Sequence, residues 1–233
     1  MSKHIILDSR TNKVSVEKLI SMGYNIVSIP SNKCFDLPIS AHPDIFITQV
    51  KDRLFADVSV KNMFTFGDEI NFLKRETGES KRILYPLDCS FNCVSIGNNL
   101  ICNEKITHSG ILDYAEKIGM NIIHTNQGYS KCSVCKVSEN AIITEDNQIY
   151  KAAVSNGINS LLIEKGYVKL DGYEYGFIGG CTGLIETDLL AVNGDINKHP
   201  NHKEIIEFCE SQSVKIVCLN DEELYDIGTI IRI

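Results

Sequence analysis

The sequence predicts an α/β ring of five strand–strand–helix–strand units that closes on its own termini. The first observation is a recurrence: strand, tight turn, strand, helix, strand, at a spacing of roughly 47 residues. The second is at the ends. The chain opens with "HIILDS", a unit lacking its first strand, and closes with "GTIIRI", a strand that no helix follows. The third is that no Pro/Gly/Ser-rich linker or low-complexity block interrupts the 233 residues. A repeat split across the termini implies that the last strand pairs with the first, which removes two exposed sheet edges.

The units follow in order. The N-terminal one continues from "HIILDS" into a helix over "VSVEKLISMG" and a strand over "YNIVSIP". The second starts at "DIFITQVKDRLFADVSV", two strands around a turn, with "GDEINFLKRETG" (67–78) as its less regular helix. In the third, "CVSIGNNLICNE" gives two strands, "ITHSGILDYAEKIG" a helix stopped by Gly119, and "MNIIHT" the last strand. The fourth turns at Glu139-Asn140 into "AIIT", runs a helix over 148–155 to a Gly157 stop, and ends in "INSLLI". In the fifth, "GLIETDLLAVNGD" precedes a helix that starts near Pro200 and Asn201, and "VKIVCLN" closes the unit. The boundaries are 228–233 plus 1–43, then 44–92, 93–134, 135–183 and 184–227, in a single domain of 1–233. An open α/β sheet also alternates strands and helices, but it does not need a hairpin before every helix. "FIGGCTG" supplies neither a P-loop lysine nor GxGxxG spacing.

Composition narrows the function. The chain is 43% apolar and 23% charged with a formal charge of −7, which argues against a nucleic-acid surface. No apolar run approaches a membrane span, and "MSKHIILDSR" is too short in its apolar part for a signal peptide. A cytoplasmic location is the expectation. Nine cysteines in such a chain read as reduced thiols, with Cys209 and Cys218 as core positions.

A ring of five ββαβ units resembles the pentein superfamily of guanidine-modifying enzymes, an α/β-propeller architecture, and an uncharacterised bacterial family within it. The stretch "AHPDIFITQV" is similar to the His-x-Asp that precedes an apolar strand in the deiminases. The resemblance implies that His42 is the general acid/base and Asp44 a carboxylate for the guanidinium. The chemistry fits, since a carboxylate pairs with the planar cation through two hydrogen bonds and histidine exchanges protons near neutrality. Two units on, "GYSKCSV" resembles the nucleophile segment and implies Cys132 as nucleophile. The unit before the histidine's, across the termini, offers "LYDIGTII". Asp226 stands there in place of a Glu-Gly-Gly carboxylate. Relative to the deiminases the chain would be circularly permuted.

By the same register Asn92, Tyr129, Gly179, Gly180 and Cys181 are candidates for the substrate pocket, with Cys181 the competing nucleophile. Tyr173, Tyr175 and Gln127 either line that pocket or pack. Implied partners are a small guanidine or amidine substrate and, for the assembly, a homodimer; no nucleic acid, membrane, metal or organic cofactor is expected. Lys131, next to Cys132, could lower the thiol's pKa, but a sequence neighbour on a strand points to the opposite face, and it reads as a solvated surface lysine. Other readings stay open at this level. Cys89-x3-Cys93 and Cys132-x2-Cys135 could combine as a zinc site. Cys132-x2-Cys135 does not open a helix after a strand, which weakens a redox reading. His199-x2-His202 reads as capping and surface. The alternative function is a non-catalytic ring that binds a partner or ligand, favoured by the absent Glu-Gly-Gly.

Overall fold

The computed structural model describes residues 3–64, 70–76 and 82–233. Strands β1 (His4–Asp8), β2 (Asn25–Ile29), β3 (Ile47–Val50), β4 (Arg53–Asp57), β5 (Ile70–Leu73), β6 (Val94–Ile96), β7 (Asn99–Cys102) and β8 (Asn121–His124) make up the first half. β9 (Val134–Ser138), β10 (Ala141–Thr144), β11 (Asn159–Leu162), β12 (Thr182–Glu186), β13 (Leu189–Val192), β14 (Lys215–Cys218) and β15 (Ile231–Arg232) complete the set. They form five three-stranded sheets, each with an antiparallel and a parallel pair: β15-β1-β2, β3-β4-β5, β6-β7-β8, β9-β10-β11 and β12-β13-β14. In the first sheet the pairing crosses the termini, Ile5 opposite Arg232 and Ile6 opposite Ile231.

The middle strand of each sheet explains why the sequence gives short continuous apolar runs there. Such a strand is buried on both faces, and its alternate residues feed different cores. In β1, Ile6 packs with Val27, Ile47 and Ala56, while Ile5 and Leu7 pack with Ile185 and Ala191. In β10, Ala141 and Ile143 meet Leu190 and Val192, while Ile142 meets Val94 and Ile101. Each of the five cores therefore lies between neighbouring units.

Four helices cover these cores: α1 (Lys13–Ser21), α3 (Ser109–Lys117), α4 (Asn147–Ser155) and α5 (His202–Ser211). Each buries a pair of residues four apart: Ser15 and Leu19, Ile111 and Ala115, Ile149 and Ala153, Ile205 and Cys209. The small member of each pair lets the helix sit close to its sheet. Asp146 caps α4 by accepting from Gln148 N and Ile149 N. Gly119 and Gly157 end α3 and α4 at positive φ.

The second unit departs from the sequence expectation. The stretch read as a helix contains β5, which pairs in parallel with β4, and a 3₁₀ turn over Val58–Met63 stands in the helix's place. Ile70 and Phe72 pack on the core with Met63 and Phe64, whereas Leu73 joins the neighbouring core with Phe55 and Phe91. That is a strand's alternation. Residues 67–69 and 77–78 of the expected helix lie outside the described residues. A further short helix, α2 (Pro43–Phe46), precedes β3 with His42 at its N-cap and Pro43 at its first position. Among the described residues no helix is long and apolar enough to cross a membrane.

Closure depends on the last strand, which also reaches its other neighbour through Ile230 N donating to Thr182 O at 3.1 Å. Ile230 and Ile231 are 2% and 7% exposed. Deleting residues 230–233 should cost at least ~3 kcal/mol from these two side chains alone and broaden urea unfolding by opening the ring. A truncated chain that unfolds at the same midpoint as the full one would show that closure contributes nothing.

Candidate active site at the ring axis

At one end of the axis the ends and junctions of the units bring together His42, Asp44, Cys132, Asp226, Asp8 and Thr229. Each is at most 4% exposed. Helix α2 places Asp44 with its amide donating to Gly228 O at 3.0 Å, so the closing segment and α2 are tied together. The Asp44 side chain caps no backbone group. Its Oδ2 accepts from Cys132 Sγ at 3.0 Å and from Thr229 Oγ1 at 2.7 Å, and its Oδ1 has no hydrogen-bond partner among the described residues. Cys132 lies in the turn before β9. Asn92 holds that turn: its Oδ1 accepts from Lys131 N at 2.6 Å and Cys132 N at 3.2 Å. The Asn92 amide nitrogen donates to Cys132 Sγ at 3.1 Å and to Asp44 O at 3.2 Å.

His42 stands between two carboxylates. Its Nδ1 is 3.7 Å from Asp226 Oδ1 and its Nε2 is 3.9 Å from Asp8 Oδ2, both within ion-pair range and beyond hydrogen-bond length. Asp226 is fixed by the backbone, accepting from Phe177 N and Gly228 N, each at 2.9 Å. Gly228 takes φ +70°, and a Cβ there would lie 2.2 Å from His42 Cβ. Only glycine satisfies both demands. Gly179 and Gly180 run against the same cluster: Gly179 O accepts from Thr229 Oγ1 at 3.0 Å, and Gly180 packs directly on the Asp226 carboxylate.

Three buried carboxylates thus face one histidine and one thiol, with the Arg10 guanidinium bound to Asp8. Burial pushes the Cys132 thiol well above its ordinary pKa, and the charges of Asp44 and Asp226 and the bond to Asp44 push it further; the Asn92 bond and the Lys131 charge oppose. Asp226 is likewise raised, by burial and then by Asp44, against the pull of His42. The cluster is short of positive charge, and the unpartnered Asp44 Oδ1 marks where a donor would be welcome.

Several candidates fall elsewhere. Cys181 packs in a core with Cys135 and Leu190, and its thiol donates to Ile178 O at 3.3 Å; burial raises its pKa first, then the charge of Asp226. Tyr129 donates to Asp88 Oδ2 at 2.8 Å within an aromatic group that includes Tyr85 and Phe177, away from the cysteine. Tyr175 packs edge-on to Phe177, Tyr173 is 42% exposed, and Gln127 accepts from Tyr129 N. Cys89, Cys93 and Cys135 bond to Asp88, Thr48 and Thr182 respectively, so the zinc set does not converge. No group of three or more metal-ligating side chains occurs among the described residues. His199 caps locally, accepting from Asn201 N, but is 1% exposed rather than on the surface. Cys209 is core, as read; Cys218 is half-buried.

Asp8, Thr229 and Glu145 were not read from the sequence. Asp8 did leave a signal, because the middle strand of each unit ends in or just before a polar residue: Asp8, Asp57, Asn103, Glu145 and Asn193. Asp57 shows why the pattern is ambiguous. In its unit the buried Arg75 takes the carboxylate at 3.0 Å, and the pair is structural. Glu145 accepts from Ile178 N at 3.0 Å, and burial raises its pKa to about 8.

A family model described as "Family of unknown function (DUF6873)" matches residues 6–231. A comparison with curated protein sequences finds no match. Among solved structures the chain resembles the dimethylarginine dimethylaminohydrolase of Pseudomonas aeruginosa, a cysteine-to-serine mutant complexed with citrulline. The TM-score is 0.56 at 10% identity, covering 94% of this chain and 92% of that one. The agmatine deiminase of C. jejuni gives 0.56 at 11% identity, covering 94% and 88%. An amidinotransferase from Microseira wollei gives 0.54 at 9% identity, covering 92% and 87%. These likenesses show the pentein fold, five ββαβ-type units around an axis.

Asn92→Ala should cost about 2–3 kcal/mol in urea unfolding, because it leaves buried N–H groups of Lys131 and Cys132 unpaired; an unchanged midpoint would show the turn to be held otherwise. Glu145 also predicts a pH dependence. Its folded pKa near 8 lies above the unfolded value of 4.5, so the native state holds the extra proton and stability falls as pH rises from 4.5 to 8. Glu145→Gln should match the wild type at pH 4 and exceed it at pH 9. A stability difference independent of pH would contradict this.

Proposed function

The chain belongs to DUF6873, a family of unknown function, and from the chemistry of its axial cluster we propose a cysteine-dependent enzyme acting on a small guanidine or amidine. One observation carries the reading: a fully buried carboxylate, Asp44, whose Oδ2 takes the Cys132 thiol while Oδ1 has no partner. A planar cation with N–H groups supplies what that oxygen lacks, and binding it there sets its central carbon beside the sulfur. The fold shared with a hydrolase, a deiminase and an amidinotransferase of such compounds supports the same class.

In this reading the substrate cation offsets the negative charge that keeps the thiol protonated, so Cys132 ionises with substrate bound. The sulfur attacks the central carbon, and a C–S bond forms. As the tetrahedral intermediate collapses, one C–N bond breaks and His42 gives the departing nitrogen its proton. His42 then takes a proton from the attacking water, the C–S bond breaks, and a ureido product leaves with the thiolate restored. Water and guanidinium become urea-type product and ammonium, with no redox step. An acceptor amine in place of water would give transfer. Asp8 and Asp226 hold the imidazole, and Asp226 replaces the glutamate of the deiminases. The cyclic order of the parts fits a permuted deiminase.

The test uses 2-chloroacetamidine, a cationic amidine, beside neutral iodoacetamide. At pH 7.5 the cationic reagent should alkylate Cys132 at least ~10-fold faster, the effect of one unit in thiol pKa, and Cys132→Ser should abolish that labelling. Should Cys132→Ser label as fast as wild type, or the neutral reagent win, the catalytic reading fails and a non-catalytic ring remains.

A further inference from the structure

The inner strands β3, β6, β9, β12 and β15 enclose a channel that holds a cavity of about 600 Å³, within the size range of small-molecule sites. It reaches out to the hairpin turns, at the end of the axis away from His42 and Cys132. The two ends meet at Thr229, which lines the cavity while its hydroxyl turns to Asp44.

Lys131 is the decisive residue. Read from sequence as a solvated surface lysine, it is in fact half-buried and lines this cavity. Its ammonium makes no hydrogen bond or ion pair with any described residue. The acids that also line the channel are engaged. Glu139 pairs with Lys136, Glu186 with Lys3 and the Tyr24 hydroxyl, and Asp52 accepts from Tyr114. The carboxylate acting most strongly on Lys131 is Asp44, which its own side-chain bonds turn toward Cys132 and Thr229. Burial lowers the lysine's pKa, and a partnering negative charge would offset that. Ser95 Oγ accepts from Lys51 N at 3.3 Å and keeps its own proton to donate. Arg232 adds positive charge among the lining residues.

We propose that this channel binds a small organic anion, with its phosphate or carboxylate group on Lys131 and its body against Ile47, Leu184 and Ile230. The site is separate from the thiol chemistry and does not require it. The axis is then electrically two-ended: a cation is drawn to Asp44 on one side and an anion to Lys131 on the other.

Isothermal titration of the full chain with inorganic phosphate and, separately, with citrate tests this. Saturable binding of at least one probe is expected, weakened ~10-fold or more, the worth of a charge-assisted contact, in Lys131→Met. Cys132→Ser should bind as wild type does, which separates this site from the proposed catalytic one. If Lys131→Met does not fold, Arg232→Glu, altering an exposed side chain, should weaken binding several-fold. No saturable binding of either probe up to ~20 mM, well above the weak end of specific affinities, would overturn the proposal. So would equal affinities in wild type, Lys131→Met and Arg232→Glu.

Discussion

Closure of the ring between β15 and β1 is the constraint on which both architecture and site depend. Five cores lie between neighbouring units, so one of them exists only if the ends of the chain meet. That closure also delivers Asp226, Gly228 and Thr229 to His42 and Asp44. The amide of Asp44 donates to Gly228 O, and Thr229 Oγ1 lies 2.7 Å from Asp44 Oδ2. Residues more than 180 positions apart therefore share one hydrogen-bond group. A loosened terminus would strip the site as well as the fold.

The second feature is electrostatic. Placing three carboxylates in a buried cluster is costly unless they are paired. Here backbone amides, Arg10, a hydroxyl and a thiol share the work, and one oxygen of Asp44 has no hydrogen-bond partner among the described residues. Across Thr229, the half-buried Lys131 ammonium has no hydrogen bond or ion pair with any described residue. A fold optimised only for stability would have joined these charges or replaced them with apolar side chains.

Legibility in the sequence followed the range of the interaction. The helices α3, α4 and α5 were readable because a buried pair four residues apart, a capping side chain or a terminal glycine are all local. The hairpins were readable from two-residue turns between apolar runs. Residues 70–73 do not form the expected helix, because the segment's helix-like polarity hid a short strand in which Ile70 and Phe72 serve one core and Leu73 another. Cys132, His42 and Asp44 were reached through the resemblance of their motifs to the deiminases, with the repeat register placing the two motifs at junctions two units apart. Thr229 was missed because its meaning lies wholly in the Asp44 contact across the termini. Lys131 was misread because its neighbours in sequence say nothing about the channel it faces.

The sequence by itself determined the repeat and its split across the termini, because these follow from local periodicity and from counting; His42, Asp44 and Cys132 were singled out by what the resemblance to the deiminases implies. Only the tertiary structure decided which polar residues are left unsatisfied. Asp57 loses its carboxylate to Arg75 whereas one oxygen of Asp44 has no hydrogen-bond partner among the described residues, and Cys181 is sealed in a core while Cys132 faces Asp44 and Asp226. The physical reason is that partnership and burial are set by what the other units bring to the axis, and no stretch of chain carries that information alone.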